Sequence, residues 1–155
     1  MVLHKIALLF CLVFALQAEQ VEVTGDDFFA DEKALVSDLK GNVVIKKGGY
    51  DTLTSDNVKI YFDANKQPIK YVATGNAKFK VLLNEKHYDG SGKELIYEPA
   101  KSQYTLKGDA YLHEVQTDKK VYGDQITVNQ LKGTYQVESK DKKPVKFIFQ
   151  IEDKK

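Results

Sequence analysis

The chain has 155 residues, and its 23 basic side chains, all lysine, stand against 22 acidic ones for a formal net charge of +1. That balance, together with the lack of arginine, argues against a nucleic-acid binder, which normally carries a basic excess and guanidinium forks for phosphate. The only cysteine, Cys11, lies in the N-terminal leader, so the mature chain is expected to have neither a disulfide nor a thiolate metal site.

Residues Met1 to Ala18 carry a basic head with Lys5, an apolar stretch from Ile6 to Leu16, and small residues at Ala15 and Ala18. This is the layout of a secretory signal peptide, predicted over 1–18 with cleavage after Ala18 or, alternatively, after Ala15. The apolar stretch is too short to span a membrane, which takes about 20 residues. Residues 19–155 are predicted to form a single domain.

From Gln20 onward the chain alternates with period two. β-branched and tyrosine-rich runs are separated by short Gly, Asn, Asp and Lys clusters, the signal for strands and hairpins. Asp31-Glu32-Lys33 reads as a turn between strands. No segment presents a convincing helical face.

Two half-units then recur and interleave. One is Gly-Asn or Gly-Asp followed by alternating apolar residues, at Gly41-Asn42-Val43, Gly75-Asn76-Ala77 and Gly108-Asp109-Ala110. The other is a small residue, usually Asp, then alternating apolars: Gly25-Asp26, Ser55-Asp56, Gly92-Lys93 and Gly123-Asp124, with lysine standing for aspartate in the third. Pro68, Pro99 and Pro144 all fall outside predicted strand interiors, where a missing N–H would break the ladder.

Period two also assigns faces. Val43, Ile45, Val58, Ile60, Phe62, Tyr71, Phe79, Val81, Leu95, Tyr97, Leu106, Leu112, Ile126 and Val128 share one face with Ala77, Tyr104 and Tyr135, while Lys46, Lys59, Lys70, Lys78, Lys80 and Lys107 take the other. The expectation is an all-β fold, a folded antiparallel sheet built from repeated strand pairs, with one buried face and two open edges. The first fourteen residues are the candidate lining of a groove for acyl chains, each buried methylene of which contributes about 0.8 kcal/mol. Sequence alone does not separate lining from packing.

No catalytic residue, metal ligand or cofactor is predicted. His87 and His113 read as solvated, and Gly90-Ser91-Gly92 reads as a hairpin connection. Asp26, Asp56 and Asp124 would suit a glycan-acting enzyme as paired acids. A residue that recurs once per repeat is more economically a structural device at a turn. A module that only assembles through its strand edges is the other alternative.

The run Val21-Glu22-Val23-Thr24-Gly25-Asp26, with Asp31-Glu32-Lys33, Gly41-Asn42-Val43, Leu53-Thr54-Ser55-Asp56-Asn57-Val58 and Ala73-Thr74-Gly75-Asn76-Ala77 behind a signal peptide, resembles the LptA/OstA family over about Val21 to Val137. The resemblance implies an open β-jelly roll that holds the acyl chains of lipopolysaccharide and carries it across the periplasm. It also implies head-to-tail self-assembly, with Val21 and Val23 at one edge and Phe147, Phe149 and Ile151 at the other, and LptC-like and LptD-like membrane partners that share the sheet. Any headgroup contact would fall to lysine, since the arginines of many relatives are absent.

Overall fold

The computed structural model describes residues 20–140 and 143–152; the expected signal peptide, 1–18, lies outside them. The described chain forms one ten-stranded antiparallel sheet: β1 Val21–Thr24, β2 Asp27–Asp31, β3 Val36–Lys47, β4 Asp51–Phe62, β5 Pro68–Leu83, β6 Lys86–Glu98, β7 Gln103–Glu114, β8 Lys119–Asn129, β9 Thr134–Glu138 and β10 Lys146–Ile148. Consecutive strands from β3 to β8 are neighbours. The first edge is shared by β1 and β2, both on β3, and the last by β9 and β10, both on β8.

The turns follow their residues. Asp31 accepts the backbone N–H groups of Lys33 and Ala34, as the Asp31-Glu32-Lys33 reading requires. Pro68 opens β5, and Pro99 starts a 3-10 turn, Pro99–Lys101.

The recurring Gly-Asn and Gly-Asp steps are not strand openings. They are bends inside strands of 12 or 16 residues. Gly41 and Asn42 stand together opposite the single residue Asp56, Gly75 and Asn76 opposite Lys93, and Gly108 and Asp109 opposite Asp124. Two residues against one is a β-bulge, which bends the strand. Both residues of each step have positive φ, as at Gly75 (+79°) and Asn76 (+50°), a conformation that glycine and asparagine tolerate best.

These bends line up across the sheet as a spine and fold it into two leaves. Leaf A holds segments 27–31, 36–40, 57–62, 68–74, 94–98, 103–107, 125–129 and 134–138. Leaf B holds 21–24, 43–47, 51–54, 77–83, 86–91, 110–114, 119–122 and 146–148. The loops at the far ends of both leaves form the lips of the fold. Gly90-Ser91-Gly92, expected as a hairpin connection, lies instead within β6 at this spine. Gly90 is small because the Phe79 ring on the neighbouring strand lies over it: a Cβ there would stand 1.6 Å from Phe79 Cε1.

Candidate functional site

Between the leaves lies the apolar interior. Of the fourteen candidate lining residues, all are buried except Phe62, which is partly buried and packs against the same cluster. Leu95, Leu106, Ile126 and Val128 are fully enclosed. Leu53, Tyr88 and Val121 join them, although period-two counting left them out. Their signal was present but in the other parity, because the spine bulge shifts the alternation by one residue in β4, β6 and β8.

Contacts across the interior show that the leaves are staggered. Phe79 of β5 meets Tyr104 of β7 with ring centroids 5.0 Å apart, and Tyr88 of β6 faces Tyr135 of β9 at 6.1 Å. The Lys47 ammonium of β3 donates to the Tyr97 hydroxyl of β6 at 2.6 Å and lies 4.8 Å from its ring. Tyr97 stacks on Tyr104 at 4.4 Å. In each of the three contacts between the leaves, Phe79–Tyr104, Tyr88–Tyr135 and Lys47–Tyr97, a leaf B strand lies under a leaf A strand two or three places further along the sheet.

The stagger leaves opposite leaves uncovered at the two ends. At the N-terminal end the leaf A edge strand β2 is exposed along its length, and an open cavity of about 540 Å³ is lined by Val23, Thr24, Gly25, Phe28, Ser37, Leu39, Ile60 and Phe62. Phe28 and Phe29 are about two-thirds exposed there, and sequence reasoning passed over both. At the C-terminal end the leaf B edge strand β10 is exposed, and its Phe147, half exposed, is paired with the buried Val121.

Val21 and Val23 sit in β1 against Lys47 and Ile45, so both lie on the inward side of that edge. Phe147 lies in β10, but Phe149 and Ile151, expected in the same strand, fall beyond it. Ile148 already pairs with Lys120 near the start of β8, so no partner strand remains for them.

The recurrent aspartates belong to the spine. Asp26 accepts from the Asn42 amide at 2.9 Å and Asp56 from the Asn76 amide at 3.1 Å, while Asp124 accepts the Lys140 backbone N–H at 2.7 Å. They lie along one spine, Asp26 and Asp56 on either side of the Gly41-Asn42 step of β3 and Asp124 on β8, and each makes a structural hydrogen bond there. His113, expected to be solvated, is instead partly buried and bound to Asp118 at 2.7 Å. Glu114, at the leaf B lip, is a buried carboxylate held by Lys86 at 3.2 Å, by Lys119 at 3.7 Å and by the Thr117 hydroxyl. Among the described residues no buried polar side-chain atom lacks a partner.

The arrangement is thus a folded sheet with an apolar interior, a wet lysine-rich exterior and two ragged ends. The family model described as LptA/(LptD N-terminal domain) LPS transport protein matches residues 22–134. The chain belongs to this family. Its fold is similar to the crystal structure of LptH, the LptA homologous periplasmic component of the conserved lipopolysaccharide transport device from Pseudomonas aeruginosa, with a TM-score of 0.76 at 17% identity over 86% of this chain and 96% of that one. A comparison with curated proteins finds no match.

Membership of the LptA/LptD N-terminal family accounts for the all-β open sheet and for its assignment to lipopolysaccharide transport. No helix among the described residues is long and apolar enough to cross a membrane.

Proposed function

We propose that the chain is exported to the periplasm by its residue 1–18 signal peptide and binds lipopolysaccharide there through the lipid A acyl chains. It passes the lipid from the inner to the outer membrane as one link of a head-to-tail bridge, and it performs no chemistry on it. The observation that carries this reading is the stagger of the leaves. An apolar cavity with Ile60 and Phe62 in its wall stands open at one end, and the edge strand β10 of the opposite leaf is exposed at the other. The last strand of one copy, with Phe147, would lie beside Val21 and Val23 of the next, so that each copy covers the leaf its neighbour leaves exposed and the interiors join. Phe149 and Ile151 would gain a partner in that contact. The same edges would meet the LptC-like and LptD-like sheets at the two membranes.

Photocrosslinking in cells from Ile60 and Phe79 should trap lipopolysaccharide, and a lack of adducts from every inward position would sink the proposal. Depletion of the protein should make newly made lipopolysaccharide build up at the inner membrane.

The full enclosure of Leu95, Leu106, Ile126 and Val128 favours one other reading, an edge-assembly module with a filled core. Native mass spectrometry separates the two: oligomers that carry no co-purifying lipid support the module, and oligomers with lipid the bridge.

A further inference from the structure

The inward rows of leaf B do not stay apolar to their ends. In β3 the row Val43, Ile45 finishes at Lys47, and in β4 it begins at Asp51 before Leu53. Both charged residues stand at the lip, and both are bonded to leaf A. Lys47 reaches Tyr97. The Asp51 carboxylate accepts from the Gln130 side-chain amide at 2.9 Å and from the backbone N–H of Leu82 at 3.1 Å.

The same Gln130 amide donates to the Leu82 carbonyl at 2.9 Å, and its backbone N–H is anchored on the Ser102 carbonyl. Gln130 follows β8 in leaf A, whereas Asp51 and Leu82 belong to leaf B. A ring of polar contacts therefore ties the lips together above the aromatic interior of Phe79, Tyr97 and Tyr104. At the N-terminal mouth the cavity beside Phe62 is open.

We infer that these contacts form a latch along the open side: Lys47 with Tyr97, and Gln130 with Asp51 and Leu82, hold the slit shut over the packed interior, and acyl chains enter beyond the mouth only when the latch parts. Hydrogen bonds at a water-accessible rim suit this role, since water replaces them when they open and their net contribution is small. The apolar faces beneath then exchange contact with each other for contact with acyl chains. The inference rests on the lipid-binding reading.

Its test uses a photoreactive phenylalanine analogue at Phe62, in the mouth, and at Phe79, under the latch, with purified lipopolysaccharide. In a protein carrying Asp51→Cys and Gln130→Cys, a short bis-maleimide joins the lips, and the mature chain offers no competing thiol. Before joining, both positions should give adducts. After joining, Phe62 adducts should persist while Phe79 adducts fall at least tenfold. Undiminished Phe79 adducts in the joined protein overturn the latch.

A lipid-free readout separates the latch from the lipid-binding reading. With folding checked by circular dichroism, maleimide labelling of a Leu112→Cys thiol should speed up several-fold when Gln130→Ala is added. An unchanged rate overturns the latch whatever the lipid result, whereas faster labelling without adducts at either position leaves the latch standing and overturns the lipid.

Discussion

The Lys93 ammonium lies 3.5 Å from the Asp109 carboxylate, in the spine position where Asp26 and Asp56 instead accept from the amides of Asn42 and Asn76. The two exchanges go together. Where lysine replaces aspartate, the step beside it carries aspartate in place of asparagine, so each corner keeps a complementary pair.

Lys93→Asp would set two carboxylates face to face and should lower the melting temperature slightly, less so at high salt. Both side chains are exposed, so the effect should stay within about 1 kcal/mol. Adding Asp109→Asn rebuilds the pair found at the other corners and should restore stability. Thermal melts at low and high salt check both steps, and failure of the double variant to recover would show that the corners do not act through this pairing.

Gly75 has φ +79°, and a Cβ there would stand 2.7 Å from Asp56 Oδ2 and 2.9 Å from Asp56 Cβ. Gly75→Ala should therefore cost about 1–3 kcal/mol in urea denaturation. Gly49→Ala is the control, because a Cβ there meets nothing within 4 Å. It should be nearly neutral.

Gly90→Ala places a methyl inside the Phe79 ring envelope, in a buried and densely packed part of leaf B. Overpacking of this kind costs about 1–3 kcal/mol or more. Combined with Phe79→Leu it should cost less than the two single losses together, by about 1 kcal/mol. A double-mutant cycle measures that coupling, and strict additivity would contradict the contact.

Glu114 and Tyr88 make stability depend on pH with opposite signs. Burial by itself would raise the Glu114 carboxyl, but hydrogen bonds from Thr117 and Lys86 and the charges of Lys86 and Lys119 hold it below its ordinary 4.5. Its contribution is present above that value and is lost as pH falls through the folded pKa. Tyr88 is pushed up to about 12, first by burial and then by the Glu114 charge.

Tyr88's contribution is full below its ordinary 10.0 and fades as pH rises towards about 12. Glu114→Gln should cost about 1–2 kcal/mol at neutral pH by leaving the lysines short of their partner. The deficit should shrink in acid. Tyr88→Phe should flatten the alkaline loss, and chemical denaturation from acid to alkaline pH reads both.

The sequence by itself determined that this chain is a sheet, and which side of most strands turns inward. Alternation is a local property: side chains at i and i+2 share a face wherever the backbone is extended. Val43, Phe79, Leu106 and Ile126 were therefore legible before any contact was known, and so were the Asp31 turn and the three prolines.

What only the tertiary structure decided is where alternation breaks. A pair of left-handed residues such as Gly75-Asn76 has the same local chemistry whether it closes a hairpin or bends a single strand. Neighbouring strands choose between the two by the partners they offer on both sides. That choice shifted the parity in β4, β6 and β8 and hid Leu53, Tyr88 and Val121 from period-two counting. It also set the stagger of the leaves, which bares Phe28 at one end and Phe147 at the other and brings Gln130 onto Asp51, 79 residues away. No window of sequence contains both ends of that contact.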